Sequence, residues 1–147
     1  DVEVAATVAA AAADADVICT VTGSPTAILQ GRDVRQGTHL CLVGASIPSS
    51  REVDDDLVTV SRYFVDYRGS ALAQAGELLE AIKAGRVTEA HILGEIGDVL
   101  SGTVPGRLAD DDVTVYKSLG VAAQDLVSAL LVYRHALERG LGTVAEL

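Results

Sequence analysis

Short apolar runs alternate with amphipathic segments along most of this chain. Three of the runs, Val17–Thr22, His39–Ala45 and Val113–Lys117, lie next to turn-forming residues, so each is predicted to be a buried strand. Two shorter runs, Val2–Ala5 and Tyr63–Tyr67, are predicted to be strands as well. Strands that are apolar on both faces and alternate with helices are typical of a parallel sheet covered by helices.

The segments between these strands carry the features of helices. In Ser70–Ala84, apolar side chains recur at helical spacing, and Gly85 follows where a helix would end. Acidic residues follow Asp54, in what would be the first turn of a helix, where the helix dipole favours them. The predicted helices are Thr7–Ala13, Asp54–Arg62, Ser70–Ala84, Ile92–Leu100 and Val121–Arg139. Together with the strands they predict an α/β fold.

Composition narrows the class of protein. The 147 residues suffice for one domain with a core. No apolar stretch approaches the roughly 20 residues that span a bilayer, and the alanine run Ala9–Ala13 has no basic region before it. We therefore expect a soluble, cytoplasmic protein with no membrane partner. The formal charge of −10 argues against nucleic acid as a partner, because phosphate binding needs clustered Lys and Arg.

Cysteine and histidine positions give no sign of a metal or a disulfide framework. Cys19 and Cys41 are far apart in the sequence and form no C-x-x-C pair. Each lies in an apolar run, where a cysteine usually behaves as a small apolar residue. The three histidines show no metal-ligand spacing. We expect no metal cofactor and a reducing compartment.

The glycine fingerprint of a dinucleotide-binding domain is absent from its expected place, between a first strand and the helix that follows it. The only match in spacing starts at Gly140, which follows a predicted helix and is interpreted as a helix stop. If the chain contains a Rossmann-type domain, we expect it to hold the second half, with the first half upstream of Asp1.

Three predicted strand ends, Thr20–Pro25, Val43–Pro48 and Lys117–Gly120, consist largely of small and hydroxyl-bearing residues. Ligands of open α/β sheets bind at the carboxyl ends of strands, so these segments are the candidate binding site. Ordinary turns between strands and helices would have a similar composition. Because a helix is predicted to begin just after Gly120, backbone N–H groups there are expected to favour an anion such as a substrate carboxylate.

Five segments in this order resemble one known family, the ornithine cyclodeaminase/mu-crystallin family. They are Ala15–Leu29, Gly37–Val58, Phe64–Leu78, Gly94–Arg107 and Val113–Leu126. The resemblance implies a two-domain subunit, usually a homodimer, in which a Rossmann-type domain binds NAD or NADP and a second domain binds substrate. By this analogy residues 1–120 form the second half of the nucleotide domain, and residues 121–147 contain a helix that returns to the substrate and dimerisation domain.

The resemblance also assigns site residues. The residues matching cofactor contacts are Thr20, Thr22, Val43, Gly44, Ala45, Ser46 and Ser118. Leu119 and Gly120 match backbone close to a small amino- or imino-acid substrate.

The family's cyclodeaminases have an aspartate as acid/base group at the position of Ser46, and a lysine at the position of Ser50. A serine hydroxyl is a poor base near neutral pH unless a neighbour activates it. The segment Val43–Ser46 is closer to the mu-crystallin-like branch, which reduces cyclic ketimines with NAD(P)H. The sequence therefore predicts an NAD(P)H-dependent reductase of a small imino or keto acid, such as pyrroline- or piperideine-2-carboxylate. The alternatives are an ornithine cyclodeaminase, an alanine dehydrogenase-like enzyme, and a non-catalytic protein that binds NADP or another ligand.

Overall fold

A five-stranded parallel sheet organises the computed structural model, which describes residues 2–143 and 145. The strands are β1 (Val17–Thr20), β2 (His39–Leu42), β3 (Arg62–Val65), β4 (Ile92–Glu95) and β5 (Thr114–Lys117). Their order across the sheet is β1-β2-β5-β3-β4, and every neighbouring pair is parallel. The predicted α/β class with a parallel sheet is confirmed.

The helices begin and end largely where local sequence signals place them. They are α1 (Val8–Ala12), α2 (Asp55–Val60), α3 (Arg68–Gln74), α4 (Gly76–Lys83), α5 (Ile96–Leu100) and α6 (Ala122–Arg139). The Thr7 and Asp54 side chains cap α1 and α2 by accepting hydrogen bonds from backbone N–H groups. Gly140 ends α6 in the left-handed conformation, with φ of 63°, as its interpretation as a helix stop predicts.

Two of the predicted elements are wrong at the ends of the sheet. Residues 2–5, predicted as a strand, have no regular structure, and Val2 and Val4 are 94% and 95% exposed because no strand pairs with them. The predicted helix Ile92–Leu100 is instead the strand β4 followed directly by the short helix α5. Pairing with β3 buries the Ile92 side chain, and mutual hydrogen bonds between Glu95 and Asp98 start the helix there.

The predicted single helix Ser70–Ala84 is two helices, α3 and α4, which break at Ala75. Ala75 is fully buried and has a ψ of 90°, outside the helical range. Gly76 then passes so close to residue 50 that a Cβ on it would lie 1.9 Å from the Ser50 carbonyl oxygen. The break lets α4 pack against the segment that follows β2.

One face of the sheet carries the core. Leu40, Val115, Tyr63 and Ile92 lie side by side in register across four strands, and all are buried. They pack with the inward faces of α2, α3 and α4, whose buried apolar residues are Leu57, Val58, Ala71, Leu78 and Ala81. This packing makes the sheet a rigid platform for the loops at its carboxyl edge.

The two cysteines are neighbours in space although 22 positions apart in the sequence. Cys19 of β1 and Cys41 of β2 lie directly opposite each other in the register, and both are free thiols. Cys19 is exposed, whereas Cys41 is partly buried. The strand of Cys19 is an edge strand of the described sheet, which leaves one side of it uncovered.

The helix α6 differs from the others because none of its residues is buried. Its exposed apolar side chains are Leu126, Val127, Leu130, Leu131, Val132, Tyr133 and Leu137. A hydrogen bond of 3.3 Å from the Gln124 amide to the Tyr116 hydroxyl links its first turn to β5. Within residues 2–143 and 145, no helix combines the length and the apolar character that crossing a membrane requires.

Candidate functional site

The carboxyl ends of the strands form one continuous edge. Thr20, Leu42, Lys117, Val65 and Glu95 lie next to one another in register, each at the end of its strand. The β1 loop (residues 21–25), the β2 loop (residues 43–50) and the β5 loop (residues 118–120) therefore leave the sheet side by side. The structure brings the three predicted strand ends together at the edge where open α/β sheets bind ligands.

The carboxylate of Glu52 joins the β1 loop to the β2 loop. Its Oε2 accepts hydrogen bonds from the Thr20 hydroxyl at 2.7 Å and from the Gly44 N–H at 2.9 Å. Its Oε1 accepts from the N–H and the hydroxyl of Thr22, at 2.6 and 2.8 Å. Glu52 is fully buried, so these four bonds replace the water that would otherwise solvate its charge.

The pKa of Glu52 follows from this environment. Burial alone raises the pKa of a carboxyl group, but the hydrogen bonds from Thr20, Thr22 and Gly44 favour the charged form and lower it further than burial raises it. The net result is a pKa below the ordinary value of 4.5. Because its lone pairs are occupied and its basicity is low, Glu52 is suited to fixing the loops and unsuited to taking a proton from a substrate.

The second position of the β2 loop, Gly44, is one that only glycine can occupy. A Cβ on Gly44 would lie 2.0 Å from the Thr22 carbonyl oxygen and 2.4 Å from Glu52 Oε1. The next residue, Ala45, is fully buried, and its carbonyl oxygen accepts a hydrogen bond of 2.5 Å from the Lys117 ammonium. The start of the β2 loop is therefore held from both neighbouring strands.

Ser46 is exposed on the β2 loop, and its hydroxyl forms no hydrogen bond with any residue among 2–143 and 145. The histidines His39 and His91 are engaged elsewhere. The His39 ring bonds the Thr114 hydroxyl at 2.8 Å at the opposite edge of the sheet, and the His91 ring bonds the Val58 carbonyl at 2.7 Å. Burial, together with the nearby Arg107 charge, lowers the pKa of His39. Neither imidazole is placed to activate Ser46 as a base.

The β5 loop is held by Asp66, which follows β3. Its Oδ2 accepts hydrogen bonds from the N–H groups of Leu119 and Gly120, at 2.6 and 2.7 Å, and a longer one of 3.5 Å from the Ser118 hydroxyl. Its Oδ1 accepts from the Tyr67 N–H at 2.7 Å. Gly120 has a φ of 91°, which a residue with a side chain rarely adopts.

This arrangement bears on the expectation that N–H groups at the start of the helix after Gly120 favour an anion. The N–H groups of Leu119 and Gly120 precede that helix, which begins at Ala122. Both already donate to the Asp66 carboxylate. The negative charge of Asp66 at the same point disfavours a second anion, so these two groups do not form the anion site.

The residues assigned by resemblance differ in exposure along the edge. Thr22, Val43, Ser46 and Gly120 are exposed, whereas Ala45 is buried. Thr20 is also buried, and its hydroxyl donates to Glu52. Gly44, Ser118 and Leu119 are partly buried. The structure thus gathers all of these residues at one edge of the sheet.

The residues that fix the loops were not predicted from the sequence. Glu52, Asp66 and Lys117 are charged and buried, and each contacts a candidate loop. The burial of Lys117 could have been predicted from the sequence, because side chains alternate along a strand and Lys117 is therefore on the same face as the buried Val115. A charged residue on the core face of a strand needs a buried partner, and this requirement predicts a contact with another element.

The family model described as "Ornithine cyclodeaminase/mu-crystallin family" matches residues 1–140. The ketimine reductase mu-crystallin of Mus musculus is 43% identical over 133 residues, which are 90% of this chain and 40% of that protein. The chain thus spans about 40% of the length of this curated relative.

Solved structures agree with the sequence comparison. The Thermococcus litoralis Δ1-pyrroline-2-carboxylate reductase, in complex with NADH and L-proline, superposes with a TM-score of 0.86 and 31% identity over 95% of this chain and 43% of that chain. An archaeal alanine dehydrogenase dimer with bound NAD gives a TM-score of 0.76 and 30% identity over 90% of this chain and 41% of its own. The chain belongs to the ornithine cyclodeaminase/mu-crystallin family.

Proposed function

We propose that this chain supplies the nicotinamide-binding part of an NAD(P)H-dependent reductase that acts on a small imino acid, such as a cyclic ketimine carboxylate. The observation that carries the proposal is the β2 loop. It is rigidly held at Gly44 and Ala45, yet at Ser46 it presents only a hydroxyl without a base beside it. Such a loop can orient a cofactor and a substrate, but it cannot by itself supply the acid/base group that a cyclodeaminase needs.

The small residues at the sheet edge fit a flat cofactor ring. Gly120 is exposed and leaves backbone uncovered there, with no atom within 4 Å of the position of a Cβ, and Ala45 is small and buried. The residues we assign to NAD or NADP are Thr20, Thr22, Val43, Gly44, Ala45, Ser46 and Ser118. When bound, the nicotinamide supplies the hydride, and the protein contributes orientation and electrostatics.

Each set of residues has a separate task in this scheme. We assign the exposed Thr22 and Val43 to contact with the cofactor, and the backbone of Leu119 and Gly120 to the border of the substrate site. Asp66 holds that backbone in one conformation. We assign Ser46 the positioning of substrate or of a water molecule and do not assign it the role of main base.

We also propose a division of the chain between two domains. Residues 1–120 would form part of the nucleotide domain, and residues 121–147 would contribute to a substrate and dimerisation domain; residues 144, 146 and 147 of that range lie outside the described residues. The exposed apolar side chains of α6 support this division, since a helix with such a surface usually packs against another element. The archaeal alanine dehydrogenase is a dimer, and we propose a homodimer here.

A cytoplasmic location fits the two free thiols, which persist in a reducing compartment.

An alanine dehydrogenase-like reaction is the second candidate, because the structure of such an enzyme superposes on most of this chain. It uses the same cofactor geometry and differs in taking an open-chain substrate.

Isotope transfer tests the proposed reaction directly. The intact gene product that contains this chain is incubated with NADH or NADPH that carries deuterium at both C4 positions, together with pyrroline-2-carboxylate in one reaction and with ornithine in a parallel one. A reductase transfers one deuterium to the α-carbon, and mass spectrometry finds proline that is heavier by one mass unit. Unlabelled proline formed from ornithine, with the labelled coenzyme unchanged, would establish a cyclodeaminase and contradict the proposal.

A further inference from the structure

A buried ion pair lies directly beneath the β2 loop. Lys117, the last residue of β5, points from the sheet into the core, and its Nζ is 2.9 Å from Oε1 of Glu77. Glu77 is in the first turn of α4, and both side chains are fully buried. The same ammonium donates a hydrogen bond of 2.5 Å to the carbonyl oxygen of Ala45.

A contribution to folding stability is a weak explanation for the presence of this buried ion pair. Removing two charges from water is costly, and replacing a buried ion pair by apolar residues of similar volume is often neutral or stabilising. Lys117 is at ion-pair distance from Glu77, but neither carboxylate oxygen of Glu77 accepts a hydrogen bond of good geometry from the part of the chain that the structure describes. The buried Tyr63 hydroxyl also has no partner among residues 2–143 and 145. Apolar side chains would fill this part of the core at a lower cost.

The contact with Ala45 gives the pair a second role. The β2 loop is held at two successive residues, since Glu52 accepts from the Gly44 N–H and Lys117 donates to the Ala45 carbonyl. Ser46, the next residue, is exposed at the candidate site. A rotation of the peptide group between Ala45 and Ser46 would therefore move the residue that faces the reacting groups.

We propose that Lys117, oriented by Glu77, is a positioning residue that fixes the peptide between Ala45 and Ser46. The inference rests on the proposed function for its catalytic consequence, but the fixed loop is a property of the fold. Glu77 orients the ammonium toward the loop, because its Oε1 lies 2.9 Å from Nζ while the same Nζ donates to the Ala45 carbonyl oxygen. Lys117 acts through Ala45 and does not touch the reacting atoms itself.

The test separates positioning from stability with the double variant Glu77→Leu/Lys117→Met in the intact gene product. Each single variant leaves one uncompensated charge in the core, and its Tm is expected to fall by roughly 10 °C. In the double variant both charges are gone, so the Tm returns close to that of the unmodified protein. The Ala45 carbonyl stays without its donor, and kcat for imine reduction is expected to fall about tenfold with a smaller change in the coenzyme KM.

The matched control lies on the same helix. Glu80 and Lys83 form an exposed ion pair of 3.5 Å on α4, and Glu80→Leu/Lys83→Met makes the same two changes in charge. Exposed pairs contribute little, so this variant should keep both its Tm and its kcat. A kcat in Glu77→Leu/Lys117→Met equal to that of the control would overturn the proposal and leave the pair a purely structural role.

A second readout is independent of the proposed function. Hydrogen–deuterium exchange of a peptide covering residues 43–50 reports how often the β2 loop opens. Exchange in Glu77→Leu/Lys117→Met is expected to be about tenfold faster than in the control, for a loss of one hydrogen bond. Unchanged exchange would overturn the proposal. Faster exchange in a protein that reduces no imine would uphold the positioning of the loop and refute the proposed function instead.

Discussion

The Glu52 carboxylate accepts a hydrogen bond of 2.9 Å from the Gly44 N–H and thereby fixes the start of the β2 loop. The same group accepts from the Thr20 hydroxyl at the end of β1. One buried charge therefore sets the distance between two loops that we assign to the cofactor. The most direct consequences of this contact concern the stability of the folded protein, which can be measured without any substrate.

The first prediction is that Glu52→Gln lowers the free energy of unfolding by about 1–3 kcal/mol. The amide keeps the shape of the side chain but has only one acceptor oxygen, so it leaves buried N–H or O–H groups of Thr20, Thr22 or Gly44 without a partner. Urea unfolding monitored by circular dichroism measures the change. Glu80→Gln on the exposed surface of α4 is the control and should change the free energy by less than about 0.5 kcal/mol.

The second prediction concerns the pH dependence of that difference. The pKa of Glu52 is lowered in the folded protein, so its contribution to stability is present above the unfolded value of 4.5 and is lost as the pH falls through the folded pKa. The difference in unfolding free energy between the unmodified protein and Glu52→Gln should be largest near neutral pH and should narrow below pH 4.5. A difference that grows on acidification would contradict the assignment of Glu52 as a charged hydrogen-bond acceptor.

The third prediction compares two glycines in neighbouring loops. Gly44→Ala places a methyl group 2.0 Å from the Thr22 carbonyl oxygen, and we expect a loss of about 3 kcal/mol or more in unfolding free energy. Gly23→Ala makes the same change where no atom lies within 4 Å of the new group. That variant should stay within about 0.5 kcal/mol of the unmodified protein. Equal effects of the two changes would show that the close approach at Gly44 is absent in solution.

Elements with a clear local pattern were predicted well from the sequence, and elements without one were not. The strands β1, β2 and β5 and the helix α6 are marked by apolar runs or helical periodicity and by flanking turn residues. The strand β4 continues directly into α5 without a turn residue between them, so the two were predicted as one helix. The strand wrongly predicted at residues 2–5 has the right composition but no neighbour to pair with in the described structure.

The backbone segments that form the candidate site were predicted from the sequence, but the side chains that hold them in place were not. Alternating strands and turns place all carboxyl ends at one edge, and this follows from parallel topology alone. The residues that hold the loops could not be predicted in this way, because their partners are far apart in the sequence. The Glu52 and Thr20 side chains are 32 positions apart, and Asp66 and Gly120 are 54 apart. Such pairs become visible only when the strand order is known.

The fourth prediction concerns the β5 loop. Asp66→Asn removes the charge that holds the N–H groups of Leu119 and Gly120, and the loop should lose its single conformation. We expect kcat/KM for the imino acid to fall between about ten- and a hundredfold in the intact gene product. Asp56→Asn, an exposed acid that pairs with Arg86, is the control and should leave kcat/KM unchanged. If both variants reduce the imine at the same rate, Asp66 does not position the substrate.

The fifth prediction concerns Ser46. If the residue positions substrate or water and is not the main base, Ser46→Ala should lower the rate of imine reduction by less than about tenfold. Loss of activity by a factor of 10³ or more would give Ser46 a direct chemical role, which its exposed and unactivated hydroxyl does not support. Steady-state kinetics with saturating coenzyme distinguish these outcomes.

The central claim is most directly tested by following coenzyme absorbance in the intact gene product supplied with cyclic ketimine carboxylates and NADH or NADPH, while ammonia release from ornithine is measured in parallel. The account predicts oxidation of the reduced coenzyme with the ketimine and no ammonia from ornithine. Ammonia and proline formed from ornithine, without net change in the coenzyme, would contradict the account and establish a cyclodeaminase whose base is a residue other than Ser46.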